Sequence, residues 1–159
     1  GHIREDETDL CTSRSYRVMA MEERIQDQPW FRATVDELRQ YRTLQGRIRD
    51  IEIQLRRDVG PDAKVIANYG ITIGAGLNPD EISKLEVELE AKQIRLKRIK
   101  NAIETLEQRE KEIAELKFIH GYKDREIYES KLPMAKATFY AVYNPAIEKA
   151  AKCLGYLEC

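Results

Sequence analysis

From Ile82 onward the chain repeats a step of three or four residues, at 82, 85, 89, 92, 96, 99, 103, 106, 110 and 113. Eight of those ten positions are Ile or Leu, with Lys92 and Glu110 as the exceptions. More than three heptads of this rhythm predict a long helix with a coiled-coil seam. Asn78-Pro79-Asp80-Glu81 supplies its start, with a capping amide, a proline in the first turn and acids against the positive end of the helix dipole. A second periodic stretch precedes it. From Phe31 the apolar positions 35, 38, 41, 44, 48, 51 and 55 follow the same spacing, and Gly60-Pro61-Asp62 ends the run. Both helices span about thirty residues, so pairing within the chain is the favoured arrangement, and another subunit is the alternative partner for either seam. The fold class is all-α.

Ahead of these, about Ser15 to Gln28 reads as a helix with Tyr16, Val18, Met19 and Ile25 on one face, ended by Pro29. Trp30 and Phe31 are expected in the core at that junction. Between the two long helices, about 59–78, the composition turns β-like and glycine-rich, with half of the chain's eight Gly at 60, 70, 74 and 76. Gly70-Ile71-Thr72-Ile73-Gly74-Ala75-Gly76 lacks the Lys-Ser/Thr ending of a phosphate loop and has no βαβ context. An irregular segment or small β-hairpin insert is the reading for this stretch.

Catalysis and metal chemistry find no support. His occurs only at 2 and 120 and Cys only at 11, 153 and 159, none at a metal-ligand spacing. No nucleophile–base or paired-carboxylate arrangement stands out, and Glu86, Glu88 and Glu90 alternate and so splay round a helix. The chain reads as a binding protein without cofactor, not an enzyme. Reduced cytosolic thiols, no basic-then-apolar export signal and no run of 18 apolar residues point to the cytoplasm and away from the membrane.

Charge separates along the chain. Charged residues make up 35% of it, against about 25% in an average domain. Residues 61–90 hold two Lys against six acids, whereas 91–159 hold fourteen Lys and Arg against ten acids. The densest basic run is Lys92-Gln93-Ile94-Arg95-Leu96-Lys97-Arg98-Ile99-Lys100. That asymmetry permits polyanion contact through the C-terminal half, although a basic run of this kind more often flanks a coiled coil.

The C-terminal third carries the most specific pattern. A helix from Glu107 to Ile119, a Gly121 corner, a short helix Arg125–Lys131 capped by Asp124, a turn at Leu132-Pro133-Met134 and a helix at about 135–143 follow in helix-turn-helix order. Ile113, Leu116, Ile127, Leu132, Phe139 and Val142 are its expected core, with Tyr143. The opposite face of the third helix offers Lys136, Ala137, Thr138, Tyr140 and Ala141 to a major groove, where Lys136 suits guanine acceptors or a phosphate and the alanines suit thymine methyls. Lys123, Arg125 and Lys131 are the expected phosphate contacts. Asn144-Pro145 reads as the cap and first turn of a new helix, so the third helix should stop or kink near Tyr143.

Residues 102–155 resemble the sigma-factor region-four type of helix-turn-helix, and more narrowly the RinA/ArpU family of phage late-gene transcriptional regulators. The matching residues are Glu110-Lys111-Glu112-Ile113-Ala114-Glu115-Leu116, Gly121-Tyr122-Lys123-Asp124-Arg125-Glu126-Ile127, Ala137-Thr138-Phe139-Tyr140 and Ile147-Glu148-Lys149-Ala150-Ala151-Lys152-Cys153-Leu154-Gly155. Gln28-Pro29-Trp30-Phe31 with Val35-Asp36-Glu37-Leu38-Arg39, and the glycine-containing insert, are similar to the family's opening. The resemblance implies activation of phage late genes through promoter or operator DNA, with host RNA polymerase as a further partner, inside a bacterial host cell. The expected organisation is a helical hairpin or coiled-coil platform over 13–106 (insert 59–78) and a DNA-binding domain over 107–159, with homodimerisation through the hairpin compatible. Two alternatives stand beside it. One is a helical phage assembly protein such as a small terminase subunit. The other is a protein–protein adaptor with a degenerate helix-turn-helix, which the six Lys and Arg against five acids after Gly121 would suit.

Overall fold

The computed structural model describes residues 25–55 and 77–158, and all the regular structure there is helical. The elements are α1 (Pro29–Arg39), α2 (Tyr41–Gln54), α3 (Pro79–Glu104), α4 (Gln108–Ala114), α5 (Asp124–Glu126) and α6 (Lys136–Leu154). Single π-helical turns, Glu115–Ile119 and Ile127–Lys131, extend α4 and α5. The insert at 59–78, apart from Leu77 and Asn78, and the expected helix from Ser15, apart from its last residues, lie outside the described residues. So do Cys11, Cys159 and His2.

The described chain falls into two compact units, one of residues 25–41 with 98–158 and one of residues 42–55 with 77–97. The expected division after 106 therefore differs from the observed grouping. Helix α1 packs on α6. Its Phe31, Val35 and Leu38 are buried, and Phe31 meets the Tyr143 ring edge-on at 6.1 Å.

In the smaller unit, α2 and α3 join through Ile48, Ile51 and Leu89, with Leu55, Leu85 and Leu96 around them. Arg47 Nε and Nη2 donate to the two carboxylate oxygens of Glu88 at 2.6 and 2.9 Å. Those hydrogen bonds hold the Glu88 carboxyl below its ordinary range. The start of α3 is the one the sequence dictates: Glu81 N–H donates to Asn78 Oδ1 at 2.9 Å, and Asn78 Nδ2 donates to Glu81 Oε1 at 3.1 Å.

Two breaks depart from the periodicity. The expected continuous helix from Phe31 ends at Arg39 and restarts at Tyr41, where Gln40 turns its N–H back to the Glu37 carbonyl at 3.0 Å. The seam from Ile82 likewise does not run on to 113. Helix α3 ends at Glu104, and α4 starts after Glu107, whose N–H donates to Glu110 Oε1 at 3.1 Å. Glu110, one of the two charged exceptions in the seam, is thus a capping residue. Glu110 is buried and also accepts from Lys149 Nζ at 3.0 Å.

In the larger unit Ile103, Ile113, Phe118, Ile127, Phe139 and Ile147 are almost fully enclosed. Of the expected small core, Ile113, Ile127 and Phe139 are buried, whereas Leu116, Leu132 and Val142 are half-buried. Trp30 is half-buried, its ring 5.7 Å from that of Phe31.

Helix α6 corrects the expected stop near Tyr143. It runs through Asn144 and Pro145 to Leu154, and Gly155 ends it at φ +89° with Tyr156 N–H bonded to the Ala151 carbonyl at 2.9 Å. A proline inside a helix costs roughly 3 kcal/mol. Burying Ile147 and Leu154, with Ala146, Ala150 and Ala151 on the same helix, offsets that at about 1.5–3 kcal/mol for each large side chain. Asn144 is no cap either: its buried side-chain oxygen accepts from Gln26 Nε2 at 3.1 Å.

Candidate nucleic-acid interface

Two wide turns set the positions of α5 and α6. At the end of α4, His120 N–H reaches the Glu115 carbonyl at 2.9 Å and Tyr122 N–H the Leu116 carbonyl at 3.0 Å, with Gly121 at φ +79° making the corner. The end of α5 repeats the arrangement, with Leu132 N–H bonded to Ile127 at 2.8 Å and Met134 N–H to Tyr128 at 2.9 Å. Ala135 then stands at the N-cap of α6 in extended conformation and offers no side-chain cap. The first amides of α6 are left to other partners.

The expected contact residues gather at this end of the larger unit. Lys136, Ala137, Thr138 and Ala141 are exposed at the start of α6, while Phe139 and Tyr143 on its other side are buried. Lys123, Arg125 and Lys131 are exposed around α5. Each of two cations already has a neighbour. Arg125 Nε donates to Glu129 Oε2 at 3.0 Å, and Lys131 Nζ lies 4.5 Å from the centre of the Tyr122 ring. Both contacts are at the surface, where such pairs are weak and exchange readily.

Tyr140 differs from the other expected groove residues in its exposure. It is half-buried, and its hydroxyl donates to Asp124 Oδ2 at 3.1 Å. Burial first, and the Asp124 carboxylate next, push its hydroxyl up to about 12. Tyr143 is driven higher still by deeper burial. Asp124 Oδ1 also accepts from Lys117 Nζ, which lies 5.0 Å from the centre of the Tyr143 ring. Asp124 thus joins the π turn after α4, the start of α5 and the first half of α6. Sequence reading placed Asp124 only as a cap and assigned Lys117 nothing, because no local spacing signals a junction among three elements.

Stacked and edge-on aromatics fill the space behind the exposed face. Phe139 stacks on Tyr143 at 5.6 Å and lies 5.5 Å from Tyr128. Phe31 extends the row to α1. A cleft of about 270 Å3 opens beside it, lined by Arg32, Asp36, Arg39, Lys117, Asp124 and Tyr143, among others. Its two carboxylates offset most of its positive charge.

Among the described residues no group of three His, Cys, Asp or Glu side chains comes together, and Cys153 is an exposed free thiol. Among them, too, no helix is long and apolar enough to cross a membrane. No family model, curated protein or solved structure matches the chain.

Proposed function

We propose that the chain is a sequence-specific double-stranded DNA-binding transcriptional regulator of the RinA/ArpU-like type, acting on phage late genes in the cytoplasm of a bacterial host. In this reading α4, α5 and α6 serve as a helix-turn-helix, and the first turns of α6 enter the major groove. The observation that carries it is the exposed face of Lys136, Ala137, Thr138 and Ala141, set over the buried Phe139 and Tyr143. Small residues allow the helix to approach base edges, and Lys136 supplies the donor for a guanine or a phosphate. Lys123, Arg125 and Lys131 flank that face as phosphate contacts. Tyr140, half-buried beside that face, positions the helix through Asp124. The role of α2 and α3 is that of a helical hairpin platform, with host RNA polymerase as the partner of an activator.

The test is a gel shift of the full chain on late-promoter fragments and on unrelated duplexes at two salt concentrations. Promoter preference should survive the higher salt and should fall about tenfold or more in Lys136→Ala, the scale of one lost base contact. Equal affinity for every duplex in both proteins would remove α6 from base reading. No binding to any duplex would favour the adaptor or assembly alternative.

A further inference from the structure

Helix α3 carries apolar residues on two faces, and only one is covered. Leu85, Leu89 and Leu96 pack toward α2. On the opposite side Val87 is 69% exposed and Ile94 53% exposed, with exposed Ala91 between them. The spacings of four and three residues put these three on one line.

Charge along the same helix is polar from end to end. Asp80, Glu81, Glu86, Glu88 and Glu90 belong to its first half, where Lys84 is the lone cation. Lys92, Arg95, Lys97, Arg98 and Lys100 belong to its second, with no acid between Glu90 and Glu104. A parallel neighbour of the same sequence would set like charges side by side. An antiparallel one sets acid against base twice over, by symmetry.

We propose that α3 pairs antiparallel with α3 of a second copy of this chain along Val87, Ala91 and Ile94. The two-fold axis falls near Ala91, whose methyl lets the helices approach closely, and Val87 of each copy meets Ile94 of the other. Glu86 and Lys97 share one flank of the stripe and face each other across the pair in this register. The stripe is short, so association belongs in the micromolar range, not the nanomolar. The pairing is independent of the DNA reading, since it forms without DNA and its failure leaves α6 untouched.

Sedimentation of the full chain without DNA, from low micromolar to several hundred micromolar, reads it directly. The expected result is a mass rising from one copy to two. Ile94→Glu and Val87→Glu should each weaken dimerisation by about tenfold or more, consistent with burial of both apolar side chains, while helix content stays unchanged. Glu86→Lys and Lys97→Glu should each weaken it, and the two together should restore it. A single-copy mass at the highest concentration overturns the proposal. So does a dimer indifferent to both apolar substitutions, or a double charge variant no better than its parents.

Discussion

Tyr140 Oη donates a hydrogen bond to Asp124 Oδ2 at 3.1 Å, and so fastens the exposed end of α6 to the first residue of α5. The same carboxylate receives Lys117 from the turn after α4. One side chain therefore sets the mutual placement of the three elements that would have to meet DNA together.

Removing the tyrosine hydroxyl isolates that tie. Tyr140→Phe should lower stability by about 1 kcal/mol, the usual net worth of such a bond, measured by urea unfolding at neutral pH. The variant also changes the alkaline limb. Tyr140 titrates at about 12 in the fold, against an ordinary tyrosine value of 10. Its contribution is therefore complete below pH 10 and is lost as pH rises from 10 toward 12, because the unfolded chain gives up that proton first. Unfolding free energy followed across that interval should fall less steeply in Tyr140→Phe than in the parent. Tyr143, also raised, keeps part of the slope in both.

Salt dependence separates phosphate contacts from base reading. Lys123→Ala combined with Arg125→Ala should weaken binding to every duplex alike and reduce the slope of log affinity against log salt by up to ~2. Neither side chain is buried, so the unfolding midpoint should stay in place. An unchanged slope would take both residues out of the interface.

Glu110 serves two bonds from a buried position. Glu110→Ala leaves the Glu107 amide uncapped and Lys149 without this partner, at an expected cost of about 2 kcal/mol by chemical denaturation. Glu110→Gln keeps the amide oxygen for Glu107 and should cost roughly half as much.

Gly155 isolates a backbone effect. A methyl group there would meet nothing within 4 Å, yet φ is +89°. Gly155→Ala should therefore lower stability by about 1 kcal/mol through conformation alone, seen as a lower thermal midpoint with unchanged DNA affinity.

The all-helical class was legible because residues buried at three- and four-residue spacing leave a periodic trace, as Leu89, Ile99, Ile103 and Leu106 do. The caps were legible for a local reason: Asn78 and Glu81 lie within one turn and bond each other's groups. The break at Gln40 was not, since a single residue outside the helix barely alters the apolar rhythm on either side of it. Pro145 was misread because its local cost is visible in sequence, whereas the burial of Ile147 and Leu154 that offsets it is tertiary. In the candidate interface, exposure of Lys136, Ala137, Thr138 and Ala141 followed from helical geometry alone. The tie between Tyr140 and Asp124, sixteen residues apart, needed the fold.

Because α6 is unbroken over 19 residues, its exposed first turn and its embedded tail belong to one helix about 28 Å long. A tilt of ~10° along that length, such as a shift of α1 against it would impose, displaces the first turn by roughly 5 Å, and the Tyr140–Asp124 bond must then break or carry α5 along. Pro145 thus sits on the shaft of a lever, and the handle of that lever is α1.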